Sequence, residues 1–145
     1  MARFDGYGPA RLGMSVEALR AAWPAALAFP AHPDVCFVVL AHDPGPVRLM
    51  FENGVFVRYD LDRDNPREVA PGGGRVGMRI DELRRLYGGR MVESPHKYVE
   101  GGKVLRVASG DAEDDALVFE ADADARVTTW RVGRPPQVDY VESCG

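Results

Sequence analysis

Four stretches of the chain are rich in β-branched and aromatic residues, in places alternating with polar ones at a period of two. These are CFVVLAH (residues 36–42), VRLMFENGVFVRYDL (47–61), KVLRVAS (103–109) and ALVFEADADARVTTWRV (116–132). Such spacing sends successive side chains to opposite faces and predicts strands with one buried face. Asn53-Gly54 divides the second stretch and predicts a type I′ hairpin, because both residue types tolerate a positive φ. The fourth stretch turns back on itself around residues 122–125. Further strands are expected at residues 90–98 and 138–141. Two segments follow the helical period instead: RLGMSVEALRAAW (11–23) and RVGMRIDELRRLY (75–87). The first lines up Val16, Leu19, Ala22 and Trp23, the second Ile80, Leu83, Leu86 and Tyr87. Ser15 is placed to cap the first helix, with Glu17 near its positive end; Asp81 and Glu82 take that position in the second.

The two helical segments align without a gap. Arg, Gly, Met, Leu and Arg are identical, and Leu/Val, Val/Ile, Glu/Asp and Trp/Tyr are close substitutions. The strands after each helical segment also match, with Leu49-x-Phe51-Glu52 answering Leu117-x-Phe119-Glu120. The expected fold class is therefore α+β: two tandem repeats, each a short helix followed by antiparallel strands. Residues 1–65 form the first repeat and 66–145 the second, in one compact unit joined by a Pro/Gly/Asp-rich linker over residues 62–74.

Gly72-x-Gly74-x-x-Gly77 has the spacing of a dinucleotide-binding fingerprint. That fingerprint works only between a buried strand and a long helix. Here DRDNPREVAP precedes the glycines, which is a turn, and the helix after them is short. No nucleotide or other cofactor is expected, and Gly13 and Gly77 are read as tight turns before the two helices.

Composition narrows the partners. The chain of 145 residues has a net charge of -4, which argues against a nucleic-acid partner, since that needs a basic stripe. No apolar run reaches the roughly 20 residues of a transmembrane segment, and residues 1–13 show no export signal. Cys36 and Cys144 are too far apart for a redox pair and too few for zinc. They leave open either one disulfide or two buried thiols. Asp60, Asp62 and Asp64 have the alternation that opens a calcium loop, but Asn65 and Pro71 stand where such a loop needs Gly and Glu. No metal is expected, with this acidic turn the alternative. His32, His42 and His96 are scattered, and Ser94 with His96 does not make a triad. Tyr59, His96, Tyr98, Trp130, Arg131 and Tyr140 lie on or beside expected strands. Tyr, Trp and Arg anchor interfaces, so these six are the expected binding surface; the alternative is that most of the aromatics are core, since either alternate set of RVTTWRVG could face inward.

The segments DGYGPARLGMSVEAL, SPHKY and the terminal VDYVESCG, with the strands between them, resemble a family of uncharacterised bacterial envelope proteins. Members are made with a signal peptide or lipobox. The resemblance implies a periplasmic or secreted protein and a Cys36–Cys144 disulfide, and it implies no established activity. More distantly, the repeated Gly-Met helix followed by strands is similar to the tandem-repeat β-lactamase inhibitor protein. It is also similar to small outer-membrane assembly lipoproteins of the SmpA/BamE type. The expected function is thus a non-catalytic module that binds a protein partner in the envelope, as an inhibitor or an assembly factor. The alternative is a small-ligand or calcium-binding periplasmic protein, and a hydrolase using His96 ranks third.

Overall fold

Most of the alternating stretches pair in a single sheet. The structure, a computed structural model, describes residues 2–42 and 45–145. Strands β1 (Ala2–Arg3), β2 (Gly6–Tyr7) and β3 (Ala10–Arg11) form a small three-stranded sheet at the start of the chain. Helix α1 (Val16–Ala22) leads into β4 (Cys36–His42), β5 (Pro46–Glu52) and β6 (Val55–Leu61). Helix α2 (Ile80–Tyr87) leads into β7 (Met91–Pro95), β8 (Lys103–Ala108), β9 (Ala116–Ala121) and β10 (Val127–Gly133). The seven later strands are antiparallel in the order β4-β5-β6-β10-β9-β8-β7.

This corrects the expected fold class. The chain is mostly β, with 39% of the described residues in strands or bridges and 15% helical, and it is not an α+β tandem of helix-strand repeats. The physical reason lies in the two matched segments, whose first halves are tight turns bonded to strands, with Gly13 at φ 97° and Gly77 at φ 90°. Gly13 donates to the Phe56 carbonyl and Phe56 to that of Met14, so the chain runs along the start of β6 before α1 begins. Gly77 and Met78 make the same pair of bonds with Val127 of β10. Only seven and eight residues remain for the helices. Each helix depends on a cap and on packing, since helices this short are marginal alone. Ser15 accepts from the Ala18 amide, and the Glu82 carboxylate accepts from the Arg79 amide. The segment at 138–141, expected as a strand, is instead entered by a 3-10 turn at Gln137–Asp139.

One face of the sheet carries the core. Leu49, Phe51, Tyr59, Leu61, Trp130, Val132, Leu117 and Phe119 are fully buried there with Leu19 of α1 and Leu83 of α2. Aromatic rings tie it together. Tyr59 meets Tyr7 at 5.3 Å and Trp130 edge-on at 6.1 Å, and Tyr87 meets Phe119 at 5.6 Å. The glycine run before α2 belongs to this packing. Gly74 donates to the Tyr87 hydroxyl, which itself donates to the Pro71 carbonyl. A methyl group on Gly74 would overlap the Phe119 ring and press Leu83 Cδ2 at 3.0 Å. Rings occupy the side-chain space of Gly72 and Gly74, and Gly73 between them has a φ of 109°.

A buried carboxyl lies at the entrance to β9. Asp115 is 2% exposed, and its Oδ1 has no hydrogen-bond partner among the described residues. Desolvation, followed by repulsion from Asp111, pushes its pKa up to about 7. A raised carboxyl pKa means that the folded state holds the proton more tightly than the unfolded one. The linked stability is complete below the ordinary value of 3.8 and is lost as pH rises through 7. Between pH 4 and pH 8, denaturant titration should show the wild type losing about 2–4 kcal/mol more than Asp115→Asn. At the glycine corner, Gly74→Ala should cost about 1–3 kcal/mol by overpacking. Gly89→Ala, at an open position, should stay within about 0.5 kcal/mol in the same urea titration.

Candidate functional site

The second face of the sheet is polar, and the last part of the chain crosses it. Alternation sends Arg58 and Asp60 of β6, Arg131 of β10 and Glu120 of β9 to this face, opposite the core residues Tyr59, Trp130 and Phe119. After β10 the chain turns back as a strap, residues 134–145, over these groups. Val138 at its centre is fully buried in a small apolar cluster with Ala116 and Val118. That contact seats the strap and presents its carbonyls to two arginines.

Arg58 and Arg131 are each buried to 2% exposure of the side chain. Arg58 clasps Asp60 through two bonds of 2.8 and 2.7 Å, and donates to the carbonyls of Gln137 (2.9 Å) and Tyr140 (2.6 Å). Arg131 donates to the Val138 carbonyl at 2.6 Å and to Glu120. Desolvation and the neighbouring Arg58 lower the Arg131 pKa, against the pull of Glu120 and Asp60. Burial alone would raise Glu120, but the His96 hydrogen bond and Arg131 outweigh it and hold its pKa below the ordinary value.

Glu120 also fixes His96. The imidazole Nε2 lies 2.8 Å from Glu120 Oε1, while Nδ1 accepts from the amides of Tyr98 (3.0 Å) and Val99 (3.1 Å). Accepting at Nδ1 requires that Nδ1 be bare, so the proton is on Nε2 and is donated to the carboxylate. Neither nitrogen is left free to take a proton from a substrate. His96 is a clip that shapes the loop after β7. That loop is tied to the strap next door. The Glu142 carboxylate accepts from Lys97 Nζ at 2.9 Å and from the Tyr98 hydroxyl. The Tyr98 and Lys97 hydrogen bonds lower its pKa to about 2. Two residues later, Cys144 forms a disulfide with Cys36 at the start of β4. SPHKY and VDYVESCG, far apart in sequence, thus meet at Glu142.

A cleft of about 440 Å³ opens beside this junction, lined by Asp62, Asp64, His96, Val99, Glu120, Asp122 and Thr129 among others. Tyr98, which lies in the chain between His96 and Val99 of this lining, is 59% exposed.

Of the six residues expected on a binding surface, Tyr98 and Tyr140 are exposed and His96 lines the cleft. Tyr59 and Trp130 lie in the core, where the Tyr59 hydroxyl donates to the Arg3 carbonyl. Arg131 is sealed beneath the strap. A partner has no access to these three in this structure. The three aspartates do not converge either. Asp60 is clasped by Arg58, Asp62 is paired with Arg48, and the other Asp62 oxygen accepts from the Asp64 amide. Among the described residues no group of three or more His, Cys, Asp or Glu side chains is disposed to hold a metal ion.

Sequence reasoning did not single out Glu120 and Glu142, the two carboxylates that organise the site. An outward position beside Phe119 puts Glu120 on the second face but does not distinguish it from a solvated Glu. Replacing Glu120 with Ala would strand a buried guanidinium and release the His96 clip. Chemical denaturation should show a loss of about 3 kcal/mol for Glu120→Ala and a smaller one for Glu120→Gln, which keeps an acceptor.

Comparisons with protein-family models, curated proteins and solved structures gave no match, so function is read from the chemistry of the site itself.

Proposed function

We propose that the chain is a non-catalytic binding module of the cell envelope, taking a protein partner on the rim where residues 95–99 meet the strap. The observation that carries this reading is the presentation of Tyr98. An aromatic ring that is 59% exposed is held in place by its own hydroxyl on Glu142 and by the His96 clip behind it. Lys97, over the Tyr98 ring, and Val99 extend the same rim, and all three are exposed. A large amphipathic ring fixed before binding loses little entropy on contact, the property that makes Tyr an effective interface anchor. The disulfide favours an oxidising compartment, either periplasm or exterior. No helix among the described residues is long and apolar enough to cross a membrane. The net charge of -4 disfavours nucleic acid. Within this reading the module acts as an inhibitor-like clamp or as an assembly factor.

A second reading, a small polar ligand in the 440 Å³ cleft, is supported by the volume and its mixed lining of carboxylates, Thr129 and His96. The calcium form of that reading loses its support, because Asp60 and Asp62 are spent on arginines.

The rim is tested by immobilising the wild type and Tyr98→Ala and exposing both to envelope extract, with bound proteins quantified by mass spectrometry. The expected result is a species retained by the wild type and reduced about tenfold or more on Tyr98→Ala, at an unchanged melting temperature. Equal retention on both, or no retained species, counts against the rim.

A further inference from the structure

The strap is held by two different kinds of contact, and the boundary between them falls near Tyr140. Upstream, Val138 is buried against Ala116 and Val118, Arg131 and Arg58 grip the carbonyls of residues 137, 138 and 140, and Arg106 pairs with Asp139 at 2.9 Å. Downstream, residues 141–145 bury no large apolar side chain, and Glu142 and Cys144 are exposed. Glu142 is joined to two exposed residues, Lys97 and Tyr98, and exposed ion pairs hold a chain weakly. The strong tether of this last stretch is the Cys36–Cys144 disulfide. Beneath it the fit is open. A space of about 230 Å³ lies under Val141, Glu142 and Ser143, floored by Arg48, Arg58, Asp60 and Thr129. That space and the 440 Å³ cleft share Asp62, Glu120 and Thr129 as lining, so residues 141–143 bound one side of a polar trough that continues into the cleft.

We propose that residues 141–145 form a redox latch, which covers the polar trough while Cys36–Cys144 is oxidised and opens it when a dithiol reduces the bond. The step balances. A dithiol thiolate attacks one sulfur and its second thiol resolves the mixed disulfide. Two electrons and two protons pass to Cys36 and Cys144, and the reductant leaves as a cyclic disulfide. The exposure of Cys144 gives the reductant access. The hinge is at residues 140–141, because Arg58 keeps the Tyr140 carbonyl after the sulfur bond is gone. Opening the latch also withdraws Glu142 from Tyr98 and so bears on the rim, but the order parameters of residues 141–145 test the cover whether or not a partner binds.

The test compares the full chain oxidised, reduced with dithiothreitol, and as Cys144→Ser. In the latter two, backbone order parameters of residues 141–145 should fall from about 0.85 to below about 0.6, while those of residues 137–140 and the sheet hold. A neutral paramagnetic solute should then broaden the Thr129 and Asp60 amide signals at least twofold more than in the oxidised protein. Rigid residues 141–145 after reduction, or unchanged broadening at Thr129, would overturn the latch. So would global unfolding of both reduced protein and Cys144→Ser, which would make the bond a staple of the whole fold.

Discussion

Two guanidinium groups sealed between the sheet and the strap set the terms for everything around them. Arg58 and Arg131 are almost fully buried, and taking such charges out of water costs several kcal/mol each unless every donor finds an acceptor. The sheet supplies one carboxylate to each, Asp60 and Glu120, and the strap supplies three main-chain carbonyls. Remove the strap and the arginines lose those acceptors; remove the arginines and the carbonyls are buried without donors. The path of residues 137–140 over the polar face is therefore specified by hydrogen bonding, with Val138 as its apolar anchor. Once the path is set, Glu142 arrives beside Lys97 and Tyr98, and Cys144 arrives beside Cys36.

Glu120 extends the same arrangement sideways. One oxygen serves Arg131 and the other serves His96, so a single carboxylate couples the strap to the loop after β7. The imidazole passes that constraint on through two backbone amides, placing Tyr98 on the rim. The strap, β10, β9 and the loop after β7 thus share one chain of hydrogen bonds centred on the Arg131–Glu120 ion pair. Such networks are stable only when complete, which makes Glu120 the residue with most to lose.

Much of the strand pattern was legible because period-two alternation is a direct consequence of the pleat. β4, β5, β6, β8, β9 and β10 fall in the stretches that alternate, and Asn53-Gly54 does turn between β5 and β6, Asn53 with a φ of 54°. Fold class was not legible in the same way. The matched segments look helical over 13 residues, yet their Gly-Met halves spend their hydrogen bonds on β6 and β10. Periodicity cannot see a partner strand. The pattern RVTTWRVG was equally silent about which face is the core. Pairing decides it: Trp130 lies opposite Leu61 and Phe119, and Arg131 opposite Asp60 and Val118. The residues 138–141 alternate like a strand but cannot ladder, because side chains have already taken the carbonyls of residues 138 and 140. In the site, residue type did not separate exposed Tyr98 and Tyr140 from buried Tyr59, and the carboxylate hubs could not be anticipated, since a Glu at an outward position usually meets only water.

The disulfide has a mechanical side. It joins residues 108 apart in sequence, from the last turn of the chain to β4 at the edge of the sheet. Without it, a pull on residues beyond 140 would load the strap and, through it, β10, which sits in the middle of the sheet between β6 and β9. With it, the force passes through sulfur to the start of β4. The centre of the sheet is thereby shielded from tension applied at the tail, and the load falls on an edge strand that can peel one ladder at a time.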